Sequence, residues 1–271
     1  MEDKKMIVVD LDGTLLNINK GCSNRTKKYL KKLKDLGYII VIATGRVLRS
    51  AVSVTDGAEF ANYVIACSGA VIYDMDNSRI VDAEVLPKDT VKSICDNYNK
   101  EEMQSLNLSD LFYHNRYMES ENHVAAFERR IGNIETFLDK ADDIYNITMH
   151  VHDNKYIKKY CDMLEDKNLE ILVMQDSYSD KQCIEIFNKG VSKYVGINKV
   201  MELEDISNDN VIAFGDGLND VDMIKLSGTG VAMGNALNSV KKVSDYITIS
   251  HNNDGVVYFL KLYLKENNLF Y

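Results

Sequence analysis

The stretch MIVVDLDGTLL, residues 6–16, decides the fold. Four apolar residues run into Asp10, followed by Leu11, Asp12, Gly13 and Thr14. A short unbroken apolar run reads as a strand buried on both faces, and such strands belong to parallel sheets covered by helices. A strand has a side-chain period of two, so Asp10 and Asp12 are expected to turn to the same side. Two close like charges repel unless a cation or a shared proton intervenes. Mg²⁺, which takes carboxylate, carbonyl and water oxygens, is the matching cation. The competing reading of an isolated Asp-x-Asp is turn or capping chemistry.

Working outward, the same pattern recurs. YIIVIATGR (38–46), YVIACSGA (63–70) and VIAFGDGLND (211–220) are each an apolar strand running into a polar, Gly-containing cluster. Helix-like segments at 25–36, 47–54, 191–203, 219–227, 236–244 and 256–265 alternate with them, and GTGVAM (228–233) and YITIS (246–250) supply further strands. This alternation predicts a doubly wound parallel sheet, whose ligands sit beyond the carboxyl ends of the strands. Four polar clusters then fall on one edge. GDGLND adds two carboxylates there, Asp216 and Asp220. In ATGR, the Thr44 hydroxyl and the Gly45 N–H suit a phosphate oxygen near a helix N-terminus, although Thr44 also reads as a helix N-cap. Lys193, after the chain returns to this sheet, is a candidate for neutralising phosphate. Lys189 and Lys199 compete with it, and the plain reading of any of the three is a solvated surface lysine.

The middle of the chain differs. Segments 106–110, 112–120, 146–153, 169–175 and 181–187 read as half-exposed strands, with helices expected at 89–98, 123–131 and 156–165. The segment before them, 70–86, reads as a hairpin turning at 76–78. The single proline, Pro87, sits where the texture changes and suits a linker. The expected organisation is a doubly wound α/β core of residues 1–85 and 189–271, split by an inserted α+β cap of residues 86–188. In the cap, His150 and His152 alternate onto one strand face and are read as surface or substrate-lining groups without a metal. Arg116, Tyr117 and Arg129 are polar candidates for substrate contact.

Composition sets outer bounds. The chain has 271 residues, 45% hydrophobic and 27% charged, enough for a large core. A net charge of −9 argues against a nucleic-acid partner, which would need clustered Lys and Arg. The basic run at 25–37 has Leu30, Leu33 and Leu36 at helical spacing and reads as the solvated face of an amphipathic helix. Five scattered cysteines without a C-x-x-C describe reduced, packed thiols rather than a disulfide framework. No run has the ~18 apolar residues of a membrane span, and the amino terminus lacks a signal-peptide pattern, so a cytoplasmic monomer or weak homodimer is expected.

DLDGT, ATGR, GVSK and GDGLND together resemble the haloacid dehalogenase superfamily, and the large insert after the third strand resembles its Cof-type phosphatases. The resemblance implies a Rossmann-like core and a Mg²⁺-dependent phosphatase acting on small phosphorylated metabolites, sugar phosphates above all. It makes Asp10 the nucleophile that takes the phosphoryl group and Asp12 the general acid and base. Thr44 and Lys193 would hold phosphoryl oxygens, with Leu11, Gly45, Arg46 and Asn219 completing the phosphate-binding set. The implied metal set is Asp10, Asp12 through its backbone carbonyl, Asp216 and Asp220, with Asn219 and Asp220 also orienting the site. Asp12 separates this reading from the superfamily's ATP-driven pumps, which carry Thr there. A sugar-phosphate phosphomutase is the alternative that the same Asp pair serves. A non-enzymatic phospho-accepting module is the third, and neither Asp12 nor a cap is expected of it. Two positions depart from the family pattern: Ser68 stands where Asn is usual, and Tyr194 follows the lysine where Gly is usual.

Overall fold

The computed structural model describes residues 4–109, 111–113, 129–130, 134–140, 143–165, 168–175 and 181–266. The chain forms two compact units, Met1–Asp82 with Ser192–Tyr271, and Ala83–Val191.

The first unit is built on an eight-stranded sheet. In chain order its strands are β1 (Met6–Val9), β2 (Ile39–Ala43), β3 (Tyr63–Ala66), β4 (Val71–Asp74), β5 (Arg79–Ala83), β12 (Val211–Gly215), β13 (Thr229–Ala232) and β14 (Tyr246–Ile247). Across the sheet the order is β14-β13-β12-β1-β2-β3-β4-β5. From β14 to β3 every pairing is parallel, and β4 turns back antiparallel to β3. β1 lies at the centre, with Met6 opposite both Val211 and Ile39. All four of its residues are fully buried, as the apolar run requires. Each such side chain contributes ~1.5–3 kcal/mol on burial.

Helix α1 (Asn24–Asp35) shows how the flanking helices form. Ser23 caps it by accepting the Thr26 N–H, and Leu30 and Leu33 are buried while the lysines face outward. Leu36 belongs to the C-terminal cap and is 55% exposed, so it is not part of the apolar stripe the sequence suggested. On the far edge, β14 keeps only two residues, both exposed, where five were expected. Such an edge has one pairing partner and soon stops. Helix α8 is likewise only Asn238–Lys241.

The second unit carries a six-stranded sheet in the order β10-β11-β9-β6-β7-β8, from β6 (Met103–Leu108), β7 (Leu111–Tyr113), β8 (Arg129–Arg130), β9 (Ile147–Val151), β10 (Leu169–Gln175) and β11 (Gln182–Asn188). Its pairings are antiparallel except β7 with β8. Ile147, Met149, Val151, Leu106, Leu108, Ile184 and Ile186 share one core with α3 (Lys88–Asp96), α4 (Ile134–Lys140) and α5 (Ile157–Leu164). Alternation puts Asn107, Thr148, His150 and Glu185 on the other face, with Asn107, Thr148 and Glu185 in one row.

The chain passes between units at 82/83 and 191/192, three residues from each expected boundary. Pro87 is not a linker. Leu86 beside it is buried in the second core, and Pro87 opens α3. The helix expected at 123–131 is contradicted at its end, where Arg129–Arg130 is a strand; residues 123–128 lie outside the described residues, as do Arg116 and Tyr117. Among the described residues, no helix is long and apolar enough to cross a membrane. None of the five cysteines, all among the described residues, forms a disulfide, and four of them are buried.

Candidate active site

The carboxyl ends of β1, β2, β3 and β12 bring the four motifs of the first unit together. β1 ends at Val9, and the Asp10 N–H donates to the Phe214 carbonyl of β12 at 3.0 Å. The chain then turns. The Leu11 carbonyl accepts the N–H groups of Leu15 and Leu16 at 3.0 and 2.9 Å, while Leu11 itself is fully buried. Gly13 has φ +82°, and a Cβ there would stand 2.2 Å from Asp216 Oδ2. Only glycine allows both the backbone and the close approach.

The two aspartates have different partners. Asp12 lies beyond the strand, so the period-of-two argument does not apply to it, and its carboxylate is bound elsewhere. Arg46 Nε donates to Asp12 Oδ2 at 2.6 Å, Arg46 Nη2 donates to Oδ1 at 2.8 Å, and Lys20 Nζ donates to Oδ1 at 3.1 Å. Asp10, Asp216 and Asp220 instead form one cluster, each offering an oxygen within 4.8 Å of the others. Of the four predicted metal-binding positions, three therefore meet by side chain.

Lys193 lies within that cluster. Its Nζ donates to Asp10 Oδ1 and to Asp220 Oδ1, both at 2.6 Å, and the side chain is 1% exposed. The surface reading of this lysine is wrong. It is the first residue of α6 (Lys193–Glu204), two residues later than the helix start at 191 that the sequence suggested, and Ser192 caps the helix by accepting the Val195 N–H. Its competitors are placed elsewhere: Lys189 pairs with Glu170, and Lys199 with Asp82. Asp220 Oδ2 accepts the N–H groups of Asp216 and Gly217, both at 2.9 Å. With Lys193 on its other oxygen, Asp220 is bound internally on both oxygens and shapes the Asp216 loop. Asp216 Oδ1 accepts the Thr14 hydroxyl at 2.9 Å. Asn219 is half-buried in the same turn.

Thr44 is buried, and its Oγ1 accepts the Arg46 N–H at 3.1 Å across Gly45. It is not a helix cap. Helix α2 (Leu48–Val54) begins further on with Val47 as its N-cap, so its end does not adjoin Thr44. The loop after β3 braces this segment: the Ser68 N–H donates to the Thr44 carbonyl and the Cys67 N–H to the Arg46 carbonyl, both at 2.9 Å. Cys67 and Ser68 both have positive φ, 49° and 53°. The Ser68 hydroxyl is buried with no hydrogen-bond partner. Gly69 follows at φ +116°, and a Cβ there would stand 2.2 Å from the Ser192 carbonyl oxygen. That contact sets the start of α6, and hence Lys193, against the third strand end. Tyr194 turns outward, its hydroxyl donating to the Leu226 carbonyl at 3.4 Å.

The electrostatics divide in the same way. Burial, with Asp220 and Asp216 nearby, holds the Asp10 carboxyl well above its usual pKa despite Lys193. Burial and then Asp220 raise Asp216 to about 6. Burial opposes the charge on Lys193, but Asp10 and Asp220 outweigh it and its pKa is raised. Burial also pushes Asp12 upward, yet Arg46 and Lys20 prevail and its pKa is lowered. Three carboxylates sharing one ammonium group are under-neutralised, and their hard oxygen donors fit a divalent cation such as Mg²⁺.

A family model for haloacid dehalogenase-like hydrolases matches residues 7–260. The chain belongs to this family. The hydrolase is 31% identical over 273 residues to the 5-amino-6-(5-phospho-D-ribitylamino)uracil phosphatase YitU of Bacillus subtilis, covering 97% of this chain and 99% of that protein. It is 32% identical over 260 residues to YcsE, a phosphatase of the same name from that organism, covering 94% and 93%. A haloacid dehalogenase-like hydrolase structure from Bacteroides thetaiotaomicron matches with TM-score 0.79 at 26% identity, over 96% of this chain and 99% of that one. The enzyme class is phosphoric monoester hydrolase, and the fold is the Rossmann-like core with a cap that these neighbours share.

Arg46 and Lys20 are what the sequence left unassigned or assigned differently. Arg46 was expected on phosphate, but its guanidinium is turned to Asp12. Lys20 carried no signal beyond its proximity in sequence to the motif. His150 and His152 form no part of a metal cluster among the described residues. Arg129 lies in β8.

Proposed function

We propose that this protein is a Mg²⁺-dependent phosphatase that cleaves a phosphate ester from a small polyhydroxylated metabolite by way of a phosphorylated Asp10. The observation that carries the reading is the position of Asp10. It is buried at the centre of the sheet's carboxyl edge, 2.6 Å from the Lys193 ammonium and clustered with Asp216 and Asp220.

Asp10, Asp216 and the Asp12 carbonyl would hold Mg²⁺, which when bound offsets the charge on the phosphoryl oxygens and on the carboxylates facing them. Asp10 attacks phosphorus through its free oxygen, and the resulting acyl phosphate splits one hard displacement into two easier ones. Lys193 holds Asp10 in place and neutralises phosphoryl charge, and Thr44 orients a phosphoryl oxygen. Asp12 stands apart from the cluster on the same turn. It protonates the leaving oxygen and then, as a carboxylate, takes a proton from the water that hydrolyses phospho-Asp10. The second unit serves as the cap that selects the leaving group.

Two B. subtilis relatives are named for a substrate whose phosphate sits on a ribityl chain. Sugar phosphates present the same chemistry, a phosphate on a hydroxylated carbon chain, and this is the substrate class proposed. The test is phosphate release from a panel of sugar, polyol and ribitylamino-pyrimidine phosphates, with Mg²⁺ and with chelator. Turnover that requires metal and disappears in Asp10→Asn is expected. Equal turnover in Asp10→Asn at saturating metal would overturn the reading.

A further inference from the structure

The geometry points to Arg46 as the residue that positions Asp12, the proposed acid and base, rather than as a ligand of the phosphoryl group. The inference rests on the reading of Asp12 given above. Arg46 spends its fork on Asp12: Nε donates to Oδ2 at 2.6 Å and Nη2 to Oδ1 at 2.8 Å. Its remaining terminal nitrogen, Nη1, donates to the Ser50 hydroxyl at 3.1 Å, one turn along α2. The backbone is held at both ends. The Arg46 N–H donates to Thr44 Oγ1 at 3.1 Å, and its carbonyl accepts the Cys67 N–H at 2.9 Å.

Asp12 needs such a support. It lies past the end of β1, one residue before the positive-φ Gly13, where the backbone makes only an isolated bridge to Leu16 and the side chain is oriented by its own hydrogen bonds. A planar two-point contact fixes the plane of a carboxylate as well as its position, which a single ammonium contact does not. Lys20 makes only one contact, 3.1 Å to Oδ1, from a side chain that is 54% exposed. Arg46 is 18% exposed and anchored to the Thr44 loop. A fixed carboxylate plane matters most in the step where a water molecule has to be aligned for attack. The effect of Arg46 is therefore expected on hydrolysis of phospho-Asp10, where Asp12 aligns and deprotonates water. The balance is a simple one. Water adds to phosphorus, the P–O bond to Asp10 breaks, the water proton goes to Asp12, and inorganic phosphate leaves.

A double-mutant cycle on the full chain tests this, using 4-nitrophenyl phosphate, whose leaving group needs no proton. Arg46→Gln is expected to lower kcat by about tenfold to a hundredfold, part of what general base catalysis supplies. KM should fall with it, so kcat/KM, which reports the first step, changes less. Arg46→Lys should lie between. In an Asp12→Ala background, Arg46→Gln should change kcat by less than about threefold, because residues acting as a unit are not additive. Rate ratios taken against kcat/KM on one preparation are insensitive to the folded fraction. If Arg46→Gln raises KM, or costs as much without Asp12 as with it, Arg46 serves the phosphoryl group and the assignment is wrong. Wild-type protein that releases no phosphate from any ester in the panel would instead sink the phosphatase reading, and this inference with it.

Discussion

The two units use their sheets in opposite ways. In the first, the inner strands β1, β3, β12 and β13 are buried on both faces, so sequence variety is pushed to the strand ends, and the chemistry gathers there. In the second, one face carries the helix-packed core and the other a row of polar residues, Asn107, Thr148 and Glu185 with His150 beside them. The lesson is that a parallel sheet concentrates a reactive constellation on one edge, whereas a one-faced antiparallel sheet spreads its polar groups over a surface. Reaction chemistry should therefore fail abruptly on single changes in the first unit. Changes in the second should alter substrate preference by degrees.

The largest expected effect is at Lys193. Lys193→Met removes the ammonium group shared by Asp10 and Asp220, both of which are buried. Breaking a buried pair costs about 3–5 kcal/mol. Chemical denaturation at pH 7.5 should show a loss of that order, and phosphate release should fall by about 10²-fold or more. A variant retaining both stability and rate would break the comparison, because the edge cluster would then not depend on its cation.

A second test sharpens the electrostatic side of the edge. Asp216 has its pKa raised to about 6 from 3.8. For a raised carboxylate the sign is fixed: no penalty exists below the unfolded value, and the full penalty applies above the folded one. In metal-free protein, the stability gained by Asp216→Asn should grow between about pH 4 and pH 6 and level off above. Asp12, with its lowered pKa, carries the opposite sign: the stability it lends is lost as pH falls below the ordinary carboxylate range. Thermal melts of wild type and Asp216→Asn across that window, in chelator, read the difference directly. A flat difference would mean that the cluster is not crowded.

Much of this edge was legible from residues alone. The apolar runs at 6–9 and 211–214 placed β1 and β12 because nothing else buries so many consecutive side chains in so few residues. Asp10 and Asp216 followed from their position at those ends. Lys193 was visible only as one of three lysines, because burial of a lysine depends on what packs over it. The signals that pick it out are Ser192 before it and Gly69 across from it, and both are tertiary in meaning. The Arg46–Asp12 contact was not legible, because Thr-Gly-Arg after a strand points to phosphate, and a fork to a carboxylate 34 residues away leaves no mark in local sequence. Asp220 was placed at the same edge by its motif, and its two oxygens are also bonded within the protein, to Lys193 and to the Asp216 and Gly217 N–H groups, which no local pattern announces. In the second unit strands were readable by alternation. The helices were less so: α4 has only seven residues, too few for a periodic pattern to stand out.

The smallest effect belongs to that second unit. His150 alternates onto the face away from the helix core, level with Ser105 and Cys183. His150→Ala should shift the ranking of kcat/KM among polyol and sugar phosphates by a few-fold, about 1 kcal/mol, and leave the metal requirement intact. A changed metal requirement would contradict the division of labour between the two sheets.

The central claim is that Asp10 itself carries the phosphoryl group. Asp12→Ala protein, mixed with 4-nitrophenyl phosphate and Mg²⁺, quenched in acid and digested, should yield a peptide phosphorylated at Asp10 when read by mass spectrometry. A phosphoryl group on any other residue, or nitrophenolate release at the wild-type rate with no phosphorylated protein, would contradict the account.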